Sequence, residues 1–500
     1  MAKLAIIGGG ISGLAAGIYA QLNGIESEIF ESHTVVGGQC TSWKRKGFHI
    51  DNCVHWMTGT SPKKEIYKVW QEVGVIQDPE KDIIRHDYFL QVDIDGVKAH
   101  VWRDLEKMRQ ELLKISPEDQ DEINNFIKLI KKFQAIELPS MYPQEQMGFG
   151  RNMKLLFKML KAIPAFAKYK KLTLEEYAKR SKSPIIHQII YNYVPKQFYV
   201  ISAFYMYAMF SMGNADLPRG GSDTITNRMR DKYLSLGGKI SIKKKALNAE
   251  INNKKITKIN FADGTSIEPE YVVIATDLRV AFDIIGHNYM DANLKAAFNN
   301  TTTHPVFSNI TIYFGVDCKT DDIPTMEIFN CEPYKVVDRE HNVVIVNNYA
   351  DQPEFAPEGK GIIQVLMVQH DEEYQYWENL YKDPEAYKAE KLRIASDVQQ
   401  RLEKHYPQYK DKLTILEVCT PKSFNRYLGS YKGSYMGFIQ TPFAPKLVHH
   451  GNIDGIDNLC LAGQWLQTPG GLPNALVTGK FAIQRLIKRF HLADKFRQTN

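Results

Sequence analysis

The first 31 residues contain the pattern that most limits how this chain can fold. Residues 3–7 form a short apolar run, which is typical of a buried parallel strand. The run leads directly into residues 8–13, GGGISG, which fit the pattern G-x-G-x-x-G. A helix is predicted at residues 14–23, and a second strand at residues 27–30, followed at once by Glu31. This order of elements predicts a βαβ unit that binds a dinucleotide.

Each position of the glycine pattern has its own physical reason. Gly8 allows the tight turn, Gly10 lets a pyrophosphate approach the backbone, and Gly13 lets the helix pack against the strand. Ile11 and Ser12 lie within the glycine pattern, just before the predicted helix, whose N-terminal N–H groups are free to bind phosphate. The acid after the second strand has the usual spacing to accept hydrogen bonds from ribose hydroxyls. An ordinary glycine-rich turn, the alternative, leaves that acid unexplained.

Length and composition set broad limits. A chain of 500 residues is too long for one core, so two or more domains are expected. The net charge of +6 is mild and does not by itself indicate a partner. Six cysteines without a C-x-x-C spacing predict neither a zinc site nor a disulfide framework, and they favour a reducing, cytoplasmic location. The chain enters its first strand at once, which leaves no room for a targeting peptide, and no apolar run is long enough to span a bilayer.

A second glycine turn and its flanks resemble a known family. The stretches GGGISGLAAG, GGQ (residues 37–39) and GFHIDNCVHW (residues 47–56) resemble the FAD signature of the phytoene desaturase, carotenoid isomerase and retinol saturase group. That group is related to the flavin amine oxidases. In the family the second motif usually reads G-G-R, and its arginine meets a phosphate. Here Gln39 can still donate a hydrogen bond but carries no charge.

The resemblance continues in the middle and at the end of the chain. Ala246 occupies the position where the family's backbone pairs with the adenine edge. Residues 458–473 resemble the closing motif N-L-x-x-A-G-E … P-G-G-G-x-P, with Gln464 in place of the acid and one glycine fewer. A helix predicted from Asn474 would place its N-terminus where it can stabilise negative charge on a reduced flavin. The cofactor-binding residues implied together are Gly8, Gly10, Ile11, Ser12, Gly13, Glu31, Gly38, Gln39, Ala246, Gly463, Gln464, Gly471, Leu472 and Pro473.

The resemblance implies an α/β fold with two discontinuous domains. A Rossmann-like FAD-binding domain with a β-meander is expected from residues 1–70, 215–290 and 420–500. A mixed α+β substrate domain is expected from residues 71–214 and 291–419. The FAD is expected to be non-covalent, since no histidine or cysteine lies in a recognisable flavin-linking motif.

Residues 151–182 are unusually basic, with ten basic and two acidic side chains. Lys154, Lys158 and Lys161 fall on one helical stripe, and apolar residues form another that turns away at Pro164. A basic amphipathic helix predicts peripheral contact with an anionic membrane. The alternative is a solvated helix whose apolar side packs on its own domain. Nucleic-acid binding is not expected, because no recognised module accompanies the charge.

The chemistry implied is that of a flavin enzyme. Neither a nucleophilic triad nor a metal-ligand spacing is recognisable, so no metal is expected. A second dinucleotide motif is also missing, which leaves the electron donor or acceptor undetermined. The leading hypothesis is an FAD-dependent oxidoreductase that desaturates, saturates or isomerises C–C bonds of an apolar polyene, isoprenoid or lipid-like substrate. The alternatives are an amine oxidase-like enzyme acting on a small amine and a flavin-holding protein without turnover.

His55 is the candidate catalytic side chain, because it matches a histidine in the retinol saturase version of the motif. A purely structural, hydrogen-bonded histidine is the alternative. Trp56 and Tyr435 are expected near the flavin pocket.

Overall fold

The computed structural model describes residues 3–444 and 447–492. Within these residues the strands are β1 Leu4–Ile7, β2 Ser27–Phe30, β3 Ser42–Arg45, β4 Phe48–Asp51, β5 Met57–Thr58, β6 Ile83–Ile84, β7 Tyr88–Ile94, β8 Val97–Trp102, β9 Ala215–Pro218, β10 Lys239–Ser241, β11 Ala246–Asn252, β12 Lys255–Phe261, β13 Ser266–Ile267, β14 Tyr271–Ile274, β15 Ser308–Val316, β16 Met326–Val336, β17 Arg339–Asn348, β18 Gly361–Gln369, β19 Leu413–Cys419, β20 Asn452–Ile453 and β21 Ile456–Leu461.

The α-helices within the same residues are α1 Ile11–Leu22, α2 Glu65–Glu72, α3 Pro79–Asp82, α4 Leu105–Ile115, α5 Gln120–Phe133, α6 Phe149–Leu160, α7 Ile163–Tyr169, α8 Leu174–Ala178, α9 Pro184–Tyr191, α10 Val200–Ser211, α11 Gly221–Ser235, α12 Leu278–Ile285, α13 Ala292–Asn299, α14 Asp371–Leu380, α15 Pro384–His405, α16 Pro421–Leu428 and α17 Leu472–Arg489. None of these helices is long and apolar enough to cross a membrane.

A six-stranded sheet carries the N-terminal βαβ unit. Its strand order is β10-β2-β1-β14-β21-β20, and the neighbours are parallel except for the β20–β21 pair. The strand β1 is completely buried, because helices α1, α11 and α17 cover one face of the sheet while α12 and the meander cover the other. Leu4 and Ile6 accordingly pack on the first side, and Ala5 and Ile7 on the second.

Four further sheets occur in the described part of the chain, two of them small: β3-β4 and β5-β9-β6. The antiparallel meander β11-β12-β13 lies beside the parallel sheet, and it contains a turn at Asp263-Gly264, where the sequence predicts a hairpin. A seven-stranded sheet has the order β19-β15-β18-β17-β16-β7-β8, in which only the β16–β7 neighbours run parallel within the described residues. The helices α5 and α10 pack together beside this sheet in a core rich in aromatic residues.

Several predicted boundaries need correction. The sequence predicts one strand over residues 239–246, but the chain leaves the parallel sheet after Ser241 and starts the meander at Ala246. Lys243 between them has φ +59°, a left-handed conformation that ends a strand. The sequence also predicts a helix over residues 224–236, which begins earlier, at Gly221, and the helix expected from Asn474 begins at Leu472.

Other elements follow the sequence closely. The sequence predicts a long helix at residues 384–405, and this is α15, with Asp383 as its N-cap. The pattern of residues 173–176 predicts a capping box, and it is present, with Glu176 accepting the Thr173 N–H at 2.8 Å. The sequence also predicts a helix that starts with Ser116 as its cap and continues over residues 123–136. The structure divides this stretch into a 3₁₀ turn at Pro117–Asp119, without a side-chain bond from Ser116 as cap, and the helix α5.

Candidate functional site

The first two glycine turns touch each other. The Gly37 N–H donates to the Gly9 carbonyl at 2.9 Å, and a Cβ added to Gly38 would lie 3.2 Å from the Cα of Gly10. Gly38 has φ +58°, a conformation that glycine adopts without cost. Glycine at these positions therefore lets two backbone segments approach each other more closely than side chains would allow.

The three motif glycines perform separable tasks in this loop. A Cβ at Gly13 would lie 1.9 Å from the Gly8 carbonyl oxygen, so α1 can pack against the end of β1 only with glycine there. A Cβ at Gly10 would lie 3.8 Å from the Cα of Gly38, an ordinary van der Waals distance, so packing within the protein does not itself require glycine there. The bare backbone of Gly10 instead lines the cavity described below. Ile11 and Ser12 begin α1, whose first turn has no side-chain cap among the described residues. Its N–H groups are free to bind an anion.

Glu31 closes the far side of this loop. Its Oε2 accepts a hydrogen bond from the Gly9 N–H at 2.7 Å, and its Oε1 accepts one from the His33 N–H at 2.7 Å. The residue is only 8% exposed, and its side chain lines the cavity described below. The carboxylate therefore fixes the glycine loop and also presents acceptor atoms to a ligand.

Gln39 and Gln464 are joined by a direct hydrogen bond, although they lie 425 positions apart. The Gln464 Nε2 donates to the Gln39 Oε1 at 2.9 Å, and the Gln39 Nε2 donates to the Ser434 carbonyl at 2.8 Å. The Gln464 Oε1 in turn accepts the Gly471 N–H at 3.0 Å. The two residues that depart from the family motifs thus form one neutral amide pair linking three segments.

The third turn presents the start of helix α17. Gly471 is the N-cap with φ +91°, Leu472 and Pro473 form the first turn, and the described residues provide no side-chain cap. Gly463 is held by a hydrogen bond from its N–H to the Thr478 hydroxyl at 3.0 Å. A second uncapped helix N-terminus therefore faces the same space as α1.

These segments surround a cavity of about 1650 Å³. Of the residues predicted from sequence, Gly13 lies beneath the loop, and the others line this cavity, including Ala246 at the start of β11. The far end of the cavity is apolar and aromatic. Its lining there includes Phe133, Ile136, Phe166, Ile201, Tyr205, Met206 and Met209. Trp56 and Tyr435 also line the cavity.

His55 lies in the cavity wall and is held by residues that the sequence did not indicate. Its Nε2 lies 2.7 Å from the Gln364 Oε1, which also accepts from the Asn347 amide at 2.9 Å. The Gln364 Nε2 donates to the Tyr313 hydroxyl at 2.8 Å, which orients the amide so that the imidazole is the donor. Nδ1 is then the unprotonated nitrogen. Burial lowers the pKa of His55, so the ring is neutral at pH 7.

The residues that hold His55 come from β15, β17 and β18, where no catalytic motif was recognised. One feature of the sequence could have indicated Gln364: it interrupts an otherwise apolar run in β18. A polar residue in a fully buried strand requires a hydrogen-bonding partner, and the fold supplies the imidazole.

Three potential metal ligands, Asp93, Glu327 and His405, lie together elsewhere in the described part of the chain. The oxygens of Glu327 already accept hydrogen bonds from the Gln91 amide at 2.6 Å and from the Tyr406 hydroxyl. His405 stacks on Phe329 with a centroid distance of 3.7 Å. Protein groups therefore satisfy the Glu327 carboxylate without an ion.

The family model for flavin containing amine oxidoreductases matches residues 11–487. The chain belongs to this family. The chain, a flavin-dependent oxidoreductase, is 21% identical to a 1-hydroxycarotenoid 3,4-desaturase from a Flavobacterium species, over 96% of this chain and 98% of the relative. It is 21% identical to the chloroplastic prolycopene isomerase of Arabidopsis thaliana, over 98% of this chain and 84% of the relative. These matches confirm the family resemblance found in the sequence.

Solved structures show the same fold at low identity. A wild-type putrescine oxidase bound to putrescine superimposes on the oxidoreductase with a TM-score of 0.59 and 12% identity, covering 97% of this chain and 99% of the other. An oxidoreductase from Methanosarcina mazei gives a TM-score of 0.56 and 17% identity, covering 97% and 100%. These structures confirm the predicted α/β fold class, and membership of the flavin-containing family implies a flavin cofactor.

The neutral amide pair gives a first prediction. Replacing Gln464 by Glu should destabilise the protein by about 2 kcal/mol, because a carboxylate oxygen would face the Gln39 Oε1. Adding Gln39→Arg should recover most of this loss, so that a double-mutant cycle gives a coupling of about 2 kcal/mol. Denaturant unfolding of the four proteins measures this coupling. As a control, a second cycle combines Gln464→Glu with Gln375→Arg, at an exposed position of α14. These two substitutions should show no coupling.

Proposed function

We propose that this oxidoreductase binds FAD non-covalently and acts on C–C bonds of an apolar polyene, isoprenoid or lipid-like substrate. The reaction would be a desaturation, a saturation or an isomerisation. The observation that carries the proposal is a single large cavity, polar at the three glycine turns and apolar beyond them. Its volume of about 1650 Å³ exceeds the ~300–1,000 Å³ typical of one small-ligand site, so a dinucleotide and a long substrate fit together.

The residues present suit FAD. The bare backbone of Gly10 in the cavity wall and the free N–H groups of α1 suit a pyrophosphate, and Glu31 presents a buried carboxylate to a ribose. Ala246 would meet the adenine, and the start of α17 at Leu472 would lie beside the flavin ring. When bound, the flavin would supply the two-electron chemistry, and the protein would orient the substrate and exclude water.

The proposed division into two domains follows the sheets. The parallel sheet and meander, which we assign to a Rossmann-like FAD-binding domain, use strands between residues 4–30, 239–274 and 452–461. The seven-stranded sheet, assigned to the substrate domain, uses residues 88–102 and 308–419. These strands fall inside the predicted boundaries 1–70, 215–290 and 420–500 for the first domain, and 71–214 and 291–419 for the second.

The charges in the cavity disfavour a small cationic amine as substrate. Each of the carboxylates that line the cavity in the described chain already has a protein partner. Four form ion pairs: Glu65 with Arg151, Glu137 with Lys158, Glu145 with Arg485, and Glu417 with Arg45. Glu31 and Asp277 accept backbone N–H groups. Basic side chains therefore neutralise four of these six carboxylates, and Glu31 is the one assigned to the nucleotide, so few charges of the cavity remain for an ammonium group.

The relatives support the apolar substrate. Curated relatives along nearly the whole chain are a carotenoid desaturase and a prolycopene isomerase. An amine oxidase-like activity is the second candidate, and the fold shared with putrescine oxidase favours it. The paired carboxylates weigh against that alternative.

The test combines extraction and turnover. We expect lipid extracts of freshly purified protein to contain a polyene or isoprenoid, and acyclic polyenes to change double-bond number or geometry when added in detergent micelles. Anaerobic bleaching of the flavin should distinguish oxidation of the substrate from isomerisation. If putrescine and other small amines bleach the flavin while polyenes remain unchanged, the proposed function is wrong and the amine oxidase-like activity is favoured. FAD that remains attached after acid precipitation would contradict non-covalent binding.

The basic segment supports contact with an anionic membrane. The helix α6 buries none of its residues, all of which the structure describes, and Phe149 and Phe157 are 83% and 63% exposed. Lys154 and Lys161 are exposed beside them, while Lys158 is engaged by Glu137. Apolar side chains flanked by cations suit a bilayer surface rich in anionic lipid. Met159 of the same helix lines the cavity, so an apolar substrate would enter from the bilayer beside α6.

Charge reversal tests the membrane contact. Replacing Lys154 and Lys161 together by Glu should weaken binding to phosphatidylglycerol vesicles by on the order of tenfold or more, since each surface cation contributes ~1 kcal/mol. Co-sedimentation measures the change. The matched control reverses Lys388 and Lys410, which are exposed on and just after α15. Equal binding of the two double variants would contradict the assignment of α6.

A further inference from the structure

Two cysteine thiols face each other in the wall of the cavity. The Sγ atoms of Cys40 and Cys53 lie 3.3 Å apart, about 1 Å beyond the length of an S–S bond (~2.05 Å). Both residues have free thiols. Cys40 follows directly after the second glycine turn and the Gln39 amide, whereas Cys53 follows the strand β4 and precedes His55 by two residues. The fold therefore brings together two thiols that no spacing motif had associated.

The two thiols differ in access. Cys40 is 4% exposed, and Cys53 is half-buried, and both line the cavity. Hydrogen bonding to Cys53, burial and the neighbouring Asp51 raise the pKa of Cys40, so its thiol stays protonated at neutral pH. Cys53 is the more accessible thiol, and its N–H is fixed by the Asp51 carboxylate at 3.1 Å. A small reagent in the cavity would meet Cys53 first.

We propose that Cys40 and Cys53 form a reversible disulfide site in the wall of the cavity. The oxidant is a low-molecular-weight disulfide. The Cys53 thiolate, having released its proton to solvent, attacks one sulfur of that disulfide and displaces a first thiolate, which leaves a mixed disulfide on Cys53. Cys40 then releases its proton to solvent, its thiolate attacks the Cys53 sulfur, and a second thiolate departs and takes up a proton. The two cysteines lose two electrons and two protons, and the reagent takes up both to become two thiols.

A disulfide between Cys40 and Cys53 would link two segments of the cavity wall. It would tie the turn that carries Gln39 to the segment that carries His55, across the β3–β4 hairpin. Both segments line the cavity. This proposal concerns the protein's own thiols and does not depend on the substrate proposed above.

Disulfide mapping of the flavin-loaded protein tests the site. The probe is bis(hydroxyethyl) disulfide, a small neutral reagent, followed by alkylation of the remaining thiols and peptide mass analysis without reduction. We expect a peptide pair cross-linked through Cys40 and Cys53, an intact mass lower by two hydrogens, and full reversal by dithiothreitol. If Cys40 and Cys53 are both recovered in alkylated form after this treatment, or if only hydroxyethyl adducts are found, the proposal is wrong. This measurement on the wild-type protein requires no variant to fold.

Two variants sharpen the result. Cys40→Ser should stop at the intermediate and accumulate the hydroxyethyl adduct on Cys53, because the resolving thiol is gone. Cys419→Ser is the matched control, since Cys419 is also buried and lines the same cavity. It should form the Cys40–Cys53 bond as completely as the wild type. Cross-linking of Cys53 to Cys419 instead of Cys40 would also overturn the assignment.

Discussion

Replacing Glu31 by Ala is expected to lower the affinity for the flavin cofactor about 100-fold. The carboxylate accepts the Gly9 and His33 N–H groups at 2.7 Å each, and it is available to a ribose at the cavity wall. Hydrogen bonds to a charged group contribute about 1.5–3 kcal/mol each, and ~3 kcal/mol corresponds to about 100-fold in affinity. Flavin content after gel filtration, and titration of the apoprotein with FAD, measure the loss.

Glu28 offers a matched control in β2, the strand that ends just before Glu31. Its carboxylate accepts the Ser241 hydroxyl at 2.6 Å on the far edge of the sheet, and the residue does not line the cavity. Glu28→Ala should keep its flavin. If the two variants retain equal amounts of flavin, Glu31 has no part in binding the nucleotide.

Replacing His55 by Phe should lower turnover about 100-fold while flavin content stays unchanged. General acid–base groups contribute typically ~10²–10⁴-fold, and the lower bound applies because the flavin carries the main chemistry. The variant removes the neutral imidazole that Gln364 orients at 2.7 Å, without opening a large void. His49→Phe is the control, since His49 stacks on Phe355 outside the cavity lining. Equal turnover by His55→Phe and the wild type would show that His55 has only a structural role.

The pH dependence of stability provides an independent readout for His55. Burial lowers its pKa, so below pH ~6.5 the unfolded chain takes up a proton that the folded protein resists. The stabilisation associated with this group is present above pH ~6.5 and is lost as the pH falls. His55→Phe lacks that group. Between about pH 7 and pH 5 the variant should therefore lose less stability than the wild type in thermal unfolding. Parallel pH profiles for the two proteins would show that His55 is not buried as a neutral ring.

Long-range hydrogen bonds account for what sequence reasoning missed in the site. Gln39 and Gln464 each depart from a family motif, which the sequence shows. Their hydrogen bond, however, requires that two loops from opposite ends of the chain meet in the folded protein. Gln364 and Tyr313 lie in strands of another sheet, and only folding brings the Gln364 amide within hydrogen-bonding distance of His55 and of Tyr313. Local patterns carry no information on such contacts, because sheet order and register decide them.

The amphipathic segment illustrates the same limit. Residue spacing predicted the helix and its basic stripe, but two outcomes for the apolar side remained open. The structure leaves Phe149 and Phe157 exposed, whereas Lys158 and Arg151 bond to the body of the protein. Which face of a helix is covered depends on its neighbours in space rather than on its own sequence.

By itself, the sequence determined the glycine turns, the βαβ unit with Glu31 and the family. These follow from local requirements: positive φ angles, close backbone approach, and a fixed spacing between a strand, a helix and an acid. Only the tertiary structure decided that the turns enclose one cavity with an apolar end, that Gln364 orients His55, and that Cys40 meets Cys53 at 3.3 Å. The reason is physical: those contacts join residues from different elements, and the packing of whole sheets and helices sets their distances.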